Sequence, residues 1–157
     1  MADSIEHKII TAIVSRMALI NGTSPYLTTV LHAEDSRQNW DQSELPAISV
    51  FAGTVTTEEA DDEGIRVIHT MPVMIRGAFA TSDDAATNAS NARKFLADIC
   101  RAIRNDDNWL VGGDPQATFT QEVSHSIEYA GDNDYEITGV QVEIQVLFRS
   151  NKFNLEA

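Results

Sequence analysis

One cysteine, Cys100, in 157 residues has no partner for an internal disulfide, so the fold does not rest on the cross-links that small secreted domains use. Basic residues are scarce too. Eleven Lys and Arg stand against 24 Asp and Glu, a formal net charge of -13. So acidic a chain is poorly suited to sequence-independent nucleic-acid binding, which rests on neutralising phosphates. No apolar run approaches the roughly 18 residues of a membrane-spanning helix, and no membrane role is expected. The N-terminus shows neither the basic region nor the apolar core of a secretory signal, which predicts synthesis in the cytoplasm. A G-x-S-x-G elbow, a P-loop, G-x-G-x-x-G and H-E-x-x-H are all missing, which leaves nucleophile, phosphate and zinc-protease chemistry without an anchor.

What is present reads as an ordinary globular chain. Hydrophobic residues make up 43% and charged ones 22%, a balance that argues against wholesale disorder. The length suits one domain, expected to span residues 1–157, with a core of its own.

The stretch "DSIEHKIITAIVSRMALING" predicts the first helix, with Asp3 as cap and Glu6 as its partner. Ile5, Ile9, Ile13, Met17 and Ile20 form its buried stripe, and Asn21-Gly22 its left-handed stop. A short extended piece at 27–32 precedes "AEDSRQNWDQSE", which lacks periodicity and reads as a loop around Trp40. "LPAISVFAGTV" and "IRVIHTMPVMIRGAFA" predict a long hairpin with an acidic tip, in which Ile65, Val67, Met71, Val73, Ile75 and Phe79 share a face. Pro72, which donates no hydrogen bond, suggests a sheet edge or a bulge there.

A second helix is expected after "TSDD", capped by Thr81 or Ser82. Its stripe is Ala85, Ala89, Ala92, Leu96, Ile99 and Ile103. A turn-rich connection holding Trp109, Gly112 and Gly113 leads to a strand over 117–129, in which Phe119, Gln121, Val123, His125 and Ile127 alternate with polar residues. The chain then closes on "TGVQVEIQVLF". Val140, Val142, Ile144, Val146 and Phe148 alternate there with Gln141, Glu143 and Gln145, the period of a half-buried strand. Its wet face or free edge is a candidate assembly surface. The predicted architecture is α+β: two helices packed on one face of a mostly antiparallel, mixed β-sheet in a single domain.

Chemistry is sparse. Glu58, Glu59, Asp61, Asp62 and Glu63 crowd the hairpin tip, yet an EF-hand loop counted from Glu59 reaches Thr70 where its bidentate Glu belongs. A second candidate from Asp132 has Ile137 where the sharp turn needs Gly. The cluster therefore reads as a solvated tip that discourages edge-to-edge association. His7, His32, His69 and His125 are not spaced as a metal pair, and Cys100 reads as a small buried hydrophobe. No catalytic, metal or cofactor residues are expected. Trp40 and Trp109 lie in polar loops. Each either covers the rim of the core or, together with Phe153, anchors a subunit interface.

The opening helix "IEHKIITAIVSRMALI", the strand opening "ELPAISVF", the helix "ARKFLADICRAIRND" before "WLVGG", and the hairpin "SIEYAGDNDYEITGVQVEIQVLF" together resemble the tail terminator, or tail completion, proteins of long-tailed bacteriophages, the group that includes the minor tail protein U family. The likeness is one of pattern and element order over nearly the whole chain. It implies a non-enzymatic virion protein of the tail or neck, a homo-oligomer forming a ring of six subunits that caps the tail tube and meets the head connector. The tube protein and neck proteins would be its partners. DNA would pass through the ring without being bound specifically, and the 58–63 acids would face either the lumen or the neighbouring tail ring. Two alternatives stand beside it: another ring of the phage neck or tail, such as a head-tail joining or tube protein, and a small-ligand-binding or enzymatic α+β domain.

Overall fold

Ile5, Ile9, Ile13 and Met17 line one side of the first helix, α1 (Ile5–Met17), and all are buried. The helix begins at Ser4, whose Oγ accepts from the His7 backbone N–H at 3.2 Å, and not at Asp3 as the sequence suggested. Burying an isoleucine is worth roughly 2 kcal/mol against about 1 kcal/mol for a cap. The stripe beginning at Ile5 therefore decides where the helix starts, and the nearest hydroxyl caps it. The helix also ends before Asn21-Gly22: its C-cap is Ala18, while Ile20 remains buried and Gly22 makes the left-handed turn at φ 72°.

The computed structural model describes residues 3–59, 65–128, 137–151 and 155. Along them α1 is followed by β1 (His32–Asp35), a 3-10 turn (Gln42–Glu44), β2 (Ala47–Ala52), β3 (Thr56–Glu59), β4 (Arg66–Ala80), α2 (Ala85–Asn105), β5 (Leu110–Val111), β6 (Asp114–Pro115), β7 (Phe119–Glu128) and β8 (Ile137–Asn151). The main sheet runs β1-β2-β4-β8-β7, with β3 also on β4, and β5 and β6 form a separate two-stranded hairpin. Only β1 and β2 pair in parallel; the other pairs are antiparallel. α1 packs over β1 and β2, and α2 over β8 and β7. The fold is the expected α+β arrangement, with both helices joining one core cluster on one face of a mixed sheet.

That core is built by alternation. In β8, Thr138, Val140, Val142, Ile144, Val146, Phe148 and Ser150 are buried, and the residues between them lie half-buried or exposed on the other face. In β4 the buried series is Val67, His69, Met71, Val73, Ile75, Gly77 and Phe79. Ile65, expected on this face, lies ahead of the strand and is exposed. Gly77 is required by α2: a Cβ there would stand 2.8 Å from both Phe95 and Val140.

Several sequence expectations yield to the sheet. β4 is interior and not an edge, because β8 lies along one side and β2, then β3, along the other. Pro72 is tolerated because its carbonyl accepts from the Gly53 N–H at 2.7 Å between the end of β2 and the start of β3. A strand residue's N and O project to the same side, so the missing donor falls at the break between those two partners. Residues 33–35, read as part of a loop, belong with His32 to an edge strand that buries little and so shows no period.

α2 is capped by Asp84, whose carboxylate accepts from the Ala86 N–H at 3.1 Å and the Thr87 hydroxyl at 2.6 Å, and not by Thr81 or Ser82. Its buried residues are Asn88, Ala92, Phe95, Asp98, Ile99, Ala102 and Ile103. Ala85 is exposed and Ala89 and Leu96 only half-buried, because rotating the stripe brings Phe95 onto Gly77 and lets Asn88 hold Ser82 through three hydrogen bonds.

Candidate assembly surfaces

Because both helices cover the same face, the other face of the sheet has no helix upon it. Its register aligns Met74, Glu143 and Ser124 in one row, and Thr70, Leu147 and Phe119 in another. The row of Arg76 and Gln141 continues through Ser49 to Glu34 on one side and to Ser126 on the other. Polar and apolar side chains are mixed across this surface.

The path β1-β2-β4-β8-β7 ends in two unlike strands. β1 is four residues long and parallel to its neighbour. β7 is ten residues long and antiparallel, and its exposed residues include Phe119 and Val123. The expected free edge on the closing strand is therefore corrected: β8 is flanked by β4 and β7, and β7 holds the edge. β7 also departs from the simple alternation read along it. A register shift between Glu122 and Ser124 leaves Val123 without a paired partner, so Phe119 and Gln121 share a face with Ser124 and Ser126, not with His125 and Ile127.

The two tryptophans part company. Trp109 is fully buried, and its Nε1 donates to Thr120 Oγ1 at 2.9 Å. A ring wholly enclosed by its own chain offers no contact surface, so it is a core residue and not an interface anchor. It fixes the β5–β6 hairpin, aided by the Leu110 N–H on Asp106 at 3.1 Å and by the Arg16–Asp106 ion pair at 2.8 Å. Gly112 and Gly113 turn the hairpin at φ 60° and 89°, and Leu110 and Val111 emerge from it exposed.

Trp40 is half-buried at the β1–β2 end of the uncovered face. Its Nε1 donates to Ser49 Oγ at 2.8 Å, His32 stacks on it at 6.0 Å, and the Arg37 guanidinium lies 4.1 Å above its ring. Arg37 in turn holds both carboxylate oxygens of Glu44, at 2.7 and 2.6 Å. Sequence reading found the tryptophan but not this assembly, whose members are scattered over residues 32–49. Phe153 lies outside the described residues, as do Asp61, Asp62 and Glu63. Glu58 and Glu59 are exposed on β3 opposite Ile68 and Val67.

Hollows open on both sides of the sheet. A groove of about 350 Å³ on the uncovered face is lined by Arg37, Trp40, Ser49, Phe51, Arg76 and Glu128. Its charges satisfy one another: Arg76 pairs with Glu128 at 3.2 Å and Arg37 with Glu44 at 2.6 Å. Accordingly, Glu44 is held below the usual carboxylate range, first by the Asp41 N–H and then by Arg37, and Arg37 is raised chiefly by Glu44. The Arg37–Glu44 pair thus favours the charged form of both groups. A shallower hollow at the β2–β3 break is lined by Phe51, Gly53, Pro72, Met74 and Glu143. A third, of about 330 Å³, lies beside α2 and is lined by Leu27, Leu45, Pro46, Phe79, Lys94 and Phe95.

Elsewhere, His69 stands between Thr57 Oγ1 at 2.9 Å and Ser150 Oγ at 2.7 Å, stacked on Phe148, and burial lowers its pKa. Cys100 is half-buried, and burial followed by Glu122 pushes its thiol up to about 11, which keeps it protonated and unreactive. Among the described residues no group of three or more His, Cys, Asp or Glu is placed to hold a metal ion, and no helix is long and apolar enough to cross a membrane.

No protein-family model matches the chain, and no curated protein matches it. Among the solved structures that match is a chain from the virion of a native gene transfer agent particle. It has a TM-score of 0.47 and 9% identity, over 94% of this chain and 92% of that one. At that score and identity the likeness decides neither fold nor function.

Proposed function

We propose that this chain is a structural virion protein of a long-tailed bacteriophage, a tail terminator that works through its surfaces and not through catalysis. Copies would close into a ring, six in number by the family pattern, that ends the tail tube and meets the neck. The observation that carries the reading is the pair of unlike edges on one sheet, short β1 and long β7. A ring needs heterologous contacts, in which one patch of a subunit meets a different patch of the next and the rotation closes. The mixed polar and apolar face without a helix adds a surface for a neighbouring ring. The acidic balance has a role in the same assembly, because carboxylates such as Glu58 and Glu59, with Asp61, Asp62 and Glu63, would repel duplex DNA passing through the lumen.

Negative-stain electron microscopy of the concentrated, purified protein tests this. Closed rings of uniform height are expected. Long tubes would replace the terminator with a tube protein, and monomers at every concentration would count against self-assembly. Replacing the five tip acids with Ala is expected to leave the fold intact and impair tail completion or DNA passage; unchanged infectivity would overturn their role.

A further inference from the structure

The β5–β6 hairpin and the hollow beside α2 are two separate apolar features, and each lacks what the other has. Leu110 and Val111 stand 50% and 39% exposed on a tip that is held rigidly from beneath. Trp109 is enclosed below it, Asp106 receives the Leu110 N–H, and the Gln116 and Ala117 N–H groups both reach the Asn108 carbonyl. A tip braced in this way loses little freedom on docking, which is the condition under which an exposed aliphatic pair becomes a binding anchor. The hollow is a concave counterpart. Phe79, Phe95 and Leu45 form its buried floor, and Leu27, 60% exposed, stands at its wall.

Charge matches as well. Lys94 lies at the rim of the hollow and makes no ion pair among the described residues. Asp114 is exposed on the hairpin opposite Val111. In a chain with only 11 basic residues, an uncommitted lysine beside an apolar hollow is a selective mark.

The two features cannot meet within one molecule. Phe95 and the end of α2 at Asn105 are about 15 Å apart along the helix. The hollow adjoins the start of β2, while the hairpin leaves the C-terminal end of α2, where Asp106 pairs with Arg16 of α1. We infer that the occupant of the hollow is a second copy of this chain, with Leu110 and Val111 seated on Phe79 and Phe95 and Asp114 facing Lys94. The contact is heterologous, joining each copy to the next in one direction. This joint rests on the ring reading and adds, beside the β1 and β7 edges, a second contact between neighbours.

Sedimentation velocity of the full chain, with circular dichroism as the folding control, tests the joint. The wild type is expected to self-associate with rising concentration. Val111→Glu puts a charge into the apolar hollow and is expected to weaken association roughly a hundredfold. Lys94→Glu is expected to weaken it about tenfold, and Lys94→Glu with Asp114→Lys to recover most of that loss. Wild-type protein that stays monomeric up to the highest soluble concentration would overturn the inference, and so would association unmoved by either single change. Rings that persist in Val111→Glu would overturn this joint and leave the ring reading standing. Open filaments that depend on Val111 would keep the joint and overturn ring closure.

Discussion

On the helix-covered face of the sheet, His69, Thr138 and Ser150 are enclosed among isoleucines and valines, and each has a named hydrogen-bond partner. On the opposite face Gln141, Glu143 and Gln145 stand half-buried beside Met74 and Leu147. The same strands supply both faces by strict alternation, so the difference lies in what lies above them. No buried side-chain polar atom among the described residues lacks a partner. Polar groups inside are thus held in fixed geometry, because an unsatisfied one would cost about 1–3 kcal/mol. Polar groups on the open face remain free to exchange water for a neighbour. One face specifies the fold, and the other is left available.

The two tryptophans sharpen this contrast, since each serves one face. Trp109→Ala is expected to destabilise the protein by about 3–5 kcal/mol, through the cavity it leaves and the lost hydrogen bond to Thr120 Oγ1, measured by urea denaturation. Asp98→Ala comes next. This fully buried carboxylate accepts from the Leu27 and Thr28 N–H groups at 2.9 and 2.7 Å and from Arg101 at 2.8 Å. Its loss is expected to cost roughly 2–3 kcal/mol and to speed hydrogen exchange at the Leu27 and Thr28 amides; unchanged exchange there would contradict the assignment.

Trp40→Ala on the open face is expected to cost only about 1 kcal/mol, because a half-exposed ring loses less burial. If it matched Trp109→Ala, the contrast between the faces would fail. Smaller again is a pH effect at His69. Its folded pKa lies below the ordinary 6.5 because burial disfavours the charged ring, so between the two values the unfolded chain binds more protons than the folded one. Stability is therefore full above the unfolded value and falls as pH drops from about 6.5 toward the folded value. His69→Gln is expected to remove that part of the pH dependence in denaturation curves recorded on either side of the window.

Much of the fold was legible in the sequence because burial imposes a period. The β8 alternation and the α1 stripe were read correctly, and the α+β class follows from them. What escaped notice was set by neighbours. Pro72 signals an edge by its own chemistry, but a change of partner from β2 to β3 supplies a gap in the interior. Asn88 sits on the buried stripe of α2 because Ser82, just ahead of the helix, satisfies it, and Asp98 because the distant Leu27 and Thr28 amides do, which no hydrophobic period announces. β1 shows no period because it buries almost nothing. On the surface, Trp40 and Trp109 look alike in sequence, since each is a lone aromatic among polar residues. Only the packing of α1 and α2 separates an enclosed ring from a rim. The groove around Arg37 and the hollow beside α2 draw on residues far apart in the chain, so neither was visible before folding.

The register shift at Val123 bears on how this protein behaves when crowded. It divides the β7 edge into 119–122 and 124–128, each shorter than the roughly six to seven residues that fibre-forming segments need. An incoming strand that pairs in register with one half is out of step with the other. A ten-residue edge would otherwise be a template for runaway stacking; with the shift, it tolerates a brief, specific visitor and gives an amyloid-like ladder no continuous track on which to grow.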